Sequence, residues 1–525
     1  MAPLCCRFPV TICADRLKPD MYDRSHLIDD LRRPSAYDHP VDTVELVETH
    51  ISWVLLAGEH AYKLKKPVDL GFVDFSTLEK RLNCCREEMR LNGRLAPELY
   101  LGIVPVALDE ESRARLCGSG AAIEYAVKMA RFPQEALFDK MLQRGELLPR
   151  HIDELAVEVA DFHGRTDVAS PSSDFGGPDA VWQPVAENFR HIPDSRSFPQ
   201  RAGQVTELRA AAERGFFRRG ARFRRRKAAG MIRECHGDLH LGNMLVGQDR
   251  VLLFDCIEFN AGLRWIDVMS EIAFTVMDLE DRGRRDYAYR FLNAYLQETG
   301  DYDGLDVLRY YLVYRATVRA KVAGIRLSQE SDSQARAADD ELLQSYVDLA
   351  EKYLQTPPPL IIITHGVSGT GKSTVTQELL EKLPAVRLRS DVERKRKFGD
   401  DVDESERYSA EATDWTYRQL QAGVRSAIHG GFTAIADATF LNRAERDQFR
   451  DLSRELGAAL VLLDVTAPED VLCERVRDRA AAGEDASEAG LAVLERQLRA
   501  RQPLEDDEAA DVIDVDTGSP VDYDQ

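Results

Sequence analysis

The apolar positions change their period along the chain, and the changes mark its parts. Residues 1–40 carry mixed charge and several prolines without a clear period. From Val41 the apolar residues gather in short runs bounded by turn residues. Residues 44–56 predict one or two strands, Gly58 and Glu59 a turn, and residues 61–65 the next strand. A helix is predicted over 77–95, and further strands over 101–106 and 123–129. After Arg131-Phe132-Pro133 the period becomes helical, over 137–142 and 152–163. The run Val251-Leu252-Leu253-Phe254 predicts a short buried strand ending at Asp255. A helical stretch is predicted to start at Arg264, and residues 285–354 to be almost wholly helical. Thr356-Pro357-Pro358-Pro359 then makes a short stiff linker. Beyond it, residues 360–364, 386–391, 433–439 and 460–465 are the strands expected of a parallel sheet. Residues 471–479 predict a helix, and 511–516 a final edge strand. The triple proline sets the expected boundary between domains 1–355 and 356–525.

Composition narrows the class. A length of 525 residues exceeds one ordinary core. Hydrophobic content of 44% and charged content of 30% describe a globular chain. A net charge of −21 argues against general nucleic-acid or anionic-membrane binding. The nine cysteines lack the paired spacing of a zinc site and fit reduced cytosolic thiols. Pro3, Pro9, Asp15 and Lys18 interrupt any signal-peptide core, and no apolar run approaches bilayer length. A cytoplasmic protein without a membrane partner is expected.

The densest chemistry lies at His236-Gly237-Asp238-Leu239-His240-Leu241-Gly242-Asn243, followed by the strand that ends at Asp255. Phosphoryl transfer needs a carboxylate to take the proton of the attacking hydroxyl, and an amide oxygen and a second carboxylate to hold metal. The order His-x-Asp-x4-Asn, then strand-Asp, is the catalytic-loop pattern of eukaryotic-type kinases. Gly237 in place of Arg, and the absence of Phe-Gly after Asp255, resemble the aminoglycoside phosphotransferase branch. That resemblance implies Asp238 as catalytic base, with Asn243 and Asp255 as metal ligands. It also implies that Lys63 holds the α/β-phosphates and pairs with a helix glutamate; Lys65 and Lys66 are the alternatives. Glu87 and Glu88 are both available, and similar kinase-like proteins carry Glu four residues before the Asn of Leu-Asn, which selects Glu88. No Gly-x-Gly-x-x-Gly precedes Lys63. By the same analogy, Asp267 is expected to brace the loop from behind.

A second nucleotide site follows the linker. The run ending at Thr364 leads into Gly366-Val367-Ser368-Gly369-Thr370-Gly371-Lys372-Ser373-Thr374, the Gly-x4-Gly-Lys-Ser phosphate loop. Gly366, Gly369 and Gly371 let backbone N–H groups curl around phosphate, and the following helix points its positive end at the anion. Lys372 reaches the β/γ-phosphates, Ser373 ligates Mg²⁺, and Thr374 is expected among the nucleotide-binding residues. The strand order resembles P-loop small-molecule and polynucleotide kinases of the gluconate-kinase and zeta-toxin neighbourhood. This implies Asp391 as catalytic base, Arg394 as acceptor clamp, Asp437 as metal carboxylate, and Arg475 and Arg479 closing over the phosphoryl group. For Asp391 a helix N-cap is the competing reading.

Residues 213–227 form one strongly basic run interleaved with Phe216, Phe217 and Phe223. A helix with a solvated basic face is preferred to nucleic-acid binding, and recruitment of an anionic acceptor is a third reading. Past about residue 40 the chain resembles bacterial two-domain proteins fusing an aminoglycoside phosphotransferase-like kinase to a P-loop, AAA-type or gluconate kinase-like domain. The resemblance implies an α+β bilobal protein-kinase-like domain followed by an α/β P-loop NTPase domain with a parallel sheet. ATP and Mg²⁺ are the implied cofactors. Each half would transfer the γ-phosphoryl of ATP to a hydroxyl of a small-molecule acceptor that the residues do not specify. The alternatives are a nucleotide-sensing regulator with one or both halves silent, or a P-loop half acting on nucleic-acid ends. Oligomeric state is not legible.

Overall fold

The computed structural model describes residues 22–523 apart from 72, 119, 194–195, 249, 400–403 and 483–489. By contacts the chain forms two compact units, one of residues 1–136 with 252–261, the other of residues 137–251 with 262–525.

The first unit holds α1 (Leu27–Leu31), α2 (Leu78–Asn92) and six strands. These are β1 (Val44–Glu48), β2 (Ser52–Ala57), β3 (His60–Lys65), β4 (Tyr100–Leu108), β5 (Ala114–Leu116) and β6 (Glu124–Ala130). They form one antiparallel sheet in the order β1-β2-β3-β6-β4-β5. Alternation places Leu55, Tyr62, Leu64, Val106 and Ala126 in a core closed by Leu27 and Leu31 of α1. The helix α2 starts where the Thr77 hydroxyl accepts the Lys80 N–H at 3.2 Å. Its buried face runs through Arg81, Cys85, Glu88, Leu91 and Asn92, a helical spacing. Buried Arg81 is neutralised by Glu124 of β6 and also donates to the Phe75 carbonyl.

The second unit opens with helices α3 (Phe138–Gln143), α4 (Pro149–Arg165), α5 (Pro178–Asn188) and α6 (Arg201–Ala228). Short strands β7 (Ile232–Glu234), β8 (Met244–Val246) and β10 (Trp265–Asp267) follow, and β9 (Val251–Leu253) runs from this unit into the 252–261 segment of the first. Helices α7 (Val268–Asp281), α8 (Arg285–Thr299), α9 (Leu305–Gln329) and α10 (Ser333–Leu354) follow. The expected helix start at Arg264 is corrected. Residues 265–267 pair antiparallel with β7, and the helix begins at Val268, where the Asp267 carboxylate accepts the Met269 N–H.

Beyond the linker five parallel strands form a sheet: β11 (Leu360–His365), β12 (Ala385–Arg389), β13 (Thr433–Asp437), β14 (Ala459–Thr466) and β15 (Val512–Asp516). Their order is β12-β13-β11-β14-β15. Helices α11 (Lys372–Lys382), α12 (Ser390–Phe398), α13 (Glu404–Arg407), α14 (Ala410–Gly430), α15 (Arg443–Leu456), α16 (Glu469–Ala482) and α17 (Leu491–Ala500) complete the α/β layering. The β12 strand stops at Arg389, two residues before the predicted end, because Ser390 already turns into α12. Helices α8 and α9 pack directly on this part of the unit. At Gly430 a Cβ would meet the Leu305 carbonyl at 2.6 Å, so glycine permits α14 to approach the start of α9.

The basic run lies on α6. Arg226 is buried between Asp267 and Asp301, Arg222 pairs with Asp306, and Phe216 and Phe223 are buried. Arg214, Arg218, Arg224 and Arg225 face solvent beside Phe217. Among the described residues no helix is long and apolar enough to cross a membrane.

Candidate active sites

In the first unit, alternation along β3 points Lys63 and Lys65 to the same face. Glu88 of α2 lies between them, its Oε1 2.9 Å from Lys63 Nζ and its Oε2 2.5 Å from Lys65 Nζ. Lys63 also pairs with Asp255, and Lys65 with Glu258. The result is a buried network of two ammonium groups and three carboxylates, with only Asp255 substantially exposed. Burial works against the Lys63 ammonium, but Asp255, Glu88 and Glu258 outweigh it and hold the lysine charged. Burial likewise opposes ionisation of Glu88, yet Lys63 and Lys65 bring its carboxyl down to about 2. Asp255 occupies the left-handed region at φ 65°, which Asp tolerates better than most residues. Its N–H donates to the Tyr100 hydroxyl at 3.1 Å, and the next N–H, of Cys256, donates to Asn92 Oδ1 at 2.9 Å. Glu87, the other glutamate offered by the sequence, is on the outer face with Arg90.

In the second unit the loop 236–243 brings Asp238 and Asn243 together. Asn243 Nδ2 donates to the Asp238 carbonyl at 2.9 Å and to its Oδ2 at 3.2 Å. His240 Nε2 lies 3.4 Å from the same carboxylate oxygen. Desolvation would raise the Asp238 pKa, but His240, Arg319 and His236 outweigh it and hold the carboxyl well below the usual range. The brace behind the loop is not Asp267, which is engaged by Arg226 through both carboxylate oxygens. That role falls to α7. Glu271 accepts from the His236 N–H at 2.5 Å and the Gly237 N–H at 3.0 Å. Thr275 donates to the Leu239 carbonyl at 2.8 Å, and Asp278 accepts from the Leu241 N–H at 2.9 Å. Residues 271, 275 and 278 share one helix face, so this buried polar stripe, set among Ile272, Phe274, Val276 and Met277, is the signal that could have located the brace.

The phosphate loop joins β11 to α11. Gly366, Gly369 and Gly371 have φ of 147°, 87° and 85°. A Cβ at Gly366 would meet the Val465 carbonyl at 2.4 Å, and one at Gly369 the Leu472 carbonyl at 3.0 Å. The turn therefore requires glycine both for its backbone angles and for its space. Lys372 Nζ donates to the Val367 carbonyl at 2.8 Å. Asp437, at the end of β13, accepts from Thr376 Oγ1 at 3.1 Å. A cavity of about 440 Å³ gathers Lys372, Ser373, Thr374, Asp391, Asp437 and Arg475 in its walls. Asp391 lies in the first turn of α12, and the N-cap position belongs to Arg389. Arg394 sits 3.5 Å from Asp391 and stacks on Tyr408. Arg475 is held by Thr517 and the Gly369 carbonyl. The side chain of Arg479 lies outside the described residues. The glycine cradle, the lysine beside it, and the hydroxyl and carboxylate donors Ser373 and Asp437 suit a nucleotide triphosphate with a hard cation.

Fold and chemistry define a kinase, an enzyme that transfers phosphoryl groups. Residues 77–309 match the Phosphotransferase enzyme family, and residues 361–504 match an AAA domain. An uncharacterized protein of Mycobacterium tuberculosis (strain ATCC 25618 / H37Rv) is 30% identical over 494 residues, covering 92% of this chain and 94% of the relative. An uncharacterized protein of Mycobacterium bovis gives the same identity and coverage. The chain belongs to the family of these mycobacterial proteins, and it joins a phosphotransferase-family domain to a P-loop AAA domain. It is also similar to a choline/ethanolamine kinase family protein from Mesorhizobium loti, at 12% identity over 63% of this chain and 98% of that one, with a TM-score of 0.34. A gluconokinase from Sinorhizobium meliloti 1021 is 21% identical over 32% of this chain and 86% of its own, with a TM-score of 0.23.

Proposed function

We propose that the protein is a bifunctional ATP-dependent phosphotransferase, each half transferring the γ-phosphoryl of ATP to a hydroxyl of a small-molecule acceptor. The supporting observation is that the phosphate loop and a candidate base, Asp391, line one cavity together with the carboxylate of Asp437. The P-loop half thus has the groups for transfer as well as for nucleotide binding.

In the phosphotransferase-family half, Asp238 takes the proton of the attacking hydroxyl, and Lys63, oriented by Glu88, holds phosphate oxygens. Asn243 and Asp255 would each offer an oxygen to Mg²⁺. In the P-loop half, Lys372, Ser373, Thr374 and the backbone of Gly366, Gly369 and Gly371 hold the phosphates, with Arg475 at the rim. Asp391 takes the acceptor proton, Arg394 grips the acceptor, and Ser373 and Asp437 hold Mg²⁺. Magnesium, when bound, neutralises charge on the β- and γ-phosphates. In both halves the new acceptor O–P bond replaces the bond to the β-phosphate, and ADP leaves. The linker 356–359 separates the two activities in sequence.

A phosphoryl-transfer screen with labelled ATP against sugars, amino alcohols, aminoglycosides and nucleosides tests this. The expected outcome is two classes of labelled product, one lost in Asp238→Asn and the other in Asp391→Asn. Loss of every product in Asp238→Asn alone, with Asp391→Asn unchanged, would contradict a second activity.

A further inference from the structure

Among the described residues β13 is the sole strand partner of β12, which therefore lies at an edge of the sheet. Such an edge needs a cover. Here a side chain from the phosphotransferase-family half binds two of its backbone groups. Asn293 of α8 donates from Nδ2 to the Ala385 carbonyl at 3.0 Å and accepts the Arg387 N–H on Oδ1 at 2.7 Å. Its amide takes the place of a peptide group in a neighbouring strand, binding residue i and residue i+2. Asn293 is 1% exposed, and its second N–H donates to the Tyr289 carbonyl at 2.8 Å, so its orientation is fixed from its own helix.

The residue thus clamped leads into the phosphate loop. Arg387 is buried, and its guanidinium donates to the Ser373 carbonyl at 3.0 Å, to Thr376 Oγ1 at 3.2 Å and to Gln377 Oε1 at 2.9 Å. Thr376 in turn donates to Asp437 Oδ2. A second tie runs in parallel: Arg290 of α8 bridges Asp153 of α4 and Glu381 of α11, 2.6 Å and 2.7 Å away.

We propose that Asn293 is a positioning residue for the P-loop nucleotide site. It fixes the backbone of Arg387, and Arg387 sets the first turn of α11, and with it Ser373, against Asp437. The phosphotransferase-family half therefore supplies part of the scaffold of the other site. This inference rests on the reading of residues 366–374 as a nucleotide site.

The test uses the full chain and a fluorescent ATP analogue titrated at several Mg²⁺ concentrations, the P-loop signal being the part removed by Lys372→Ala. Asn293→Ala strands a buried N–H and a buried carbonyl. It should weaken Mg²⁺-dependent binding at this site about tenfold while weakening Mg²⁺-free binding less. Asn293→Ser, which can keep one of the two bonds, should fall between. Combining Asn293→Ala with Arg387→Met should be no weaker than Arg387→Met alone, because Asn293 acts through Arg387. Unchanged Mg²⁺-dependent affinity in both Asn293 variants, or full additivity with Arg387→Met, would overturn the proposal while leaving the nucleotide site standing. A signal insensitive to Lys372→Ala would remove the nucleotide site itself, and this inference with it.

Discussion

Glu88 and Lys65 form an ion pair at 2.5 Å in which both side chains are sealed from solvent, one layer beneath the Lys63 that the sequence singles out. Removing one partner of a buried pair leaves an uncompensated charge and costs about 3–5 kcal/mol. Lys65→Met removes the fully buried ammonium that Glu88 and Glu258 share, and is therefore expected to lower the stability of the protein by that amount in chemical denaturation. Lys63→Met, whose loss leaves Glu88 on Lys65, should cost less stability but more ATP affinity. Equal effects of the two substitutions on both measurements would show that the lysines are not divided in this way.

Asp238→Asn should lower transfer by the phosphotransferase-family half on the order of 10²–10⁴-fold, the range of a lost general base. ATP affinity should hold, because the lysine and metal groups are untouched. Steady-state kinetics alongside nucleotide binding measures both quantities.

Glu271→Ala should act through the loop rather than through phosphate. It removes the acceptor of two buried N–H groups, those of His236 and Gly237. Each such loss costs about 1–3 kcal/mol. The expected result is a fall in kcat of about tenfold or more with little change in KM for ATP, and partial recovery in Glu271→Gln, whose amide oxygen still accepts.

Stability should decline in mild acid through His163. Burial, helped by Arg233, lowers its pKa from 6.5 to about 3. The folded state keeps the ring neutral, while the unfolded chain binds a proton below 6.5. Its contribution is thus fully present above pH 6.5, is lost progressively as pH falls toward 3, and stays constant below that. Between pH 6.5 and 5 this amounts to about 1–2 kcal/mol. Urea titrations of His163→Gln across that range should show a shallower pH dependence than the native chain. An identical slope would assign the acid sensitivity elsewhere.

What the sequence disclosed was whatever is carried by local pattern. The glycine spacing of residues 366–373 announces its own turn, and the loop 236–243 holds its carboxylate and amide within five residues. Glu88 was told from Glu87 by the family pattern, Glu four residues before the Asn of Leu-Asn, and the helix places it on the buried face with Arg81, Cys85 and Asn92. Asp267 was assigned the wrong contact: analogy supplied a carboxylate near the right place, while helix geometry gave the bracing to Glu271 a turn later. The pairings Lys65–Glu258 and Asn293–Arg387 had no local signature. Their partners are 193 and 94 residues apart, and only the packing of β3 and α8 brings them together.

The central claim is that the chain carries two ATP sites built from different physics, a lysine–carboxylate network and a helix-terminal glycine turn. Isothermal titration calorimetry of the full chain with a slowly hydrolysed ATP analogue and Mg²⁺ tests it most directly. The expected stoichiometry is two, falling to one in Lys372→Ala and to one in Asp255→Ala, with the surviving site different in each. A stoichiometry of one in the native chain, or loss of all binding in Lys372→Ala alone, would contradict it.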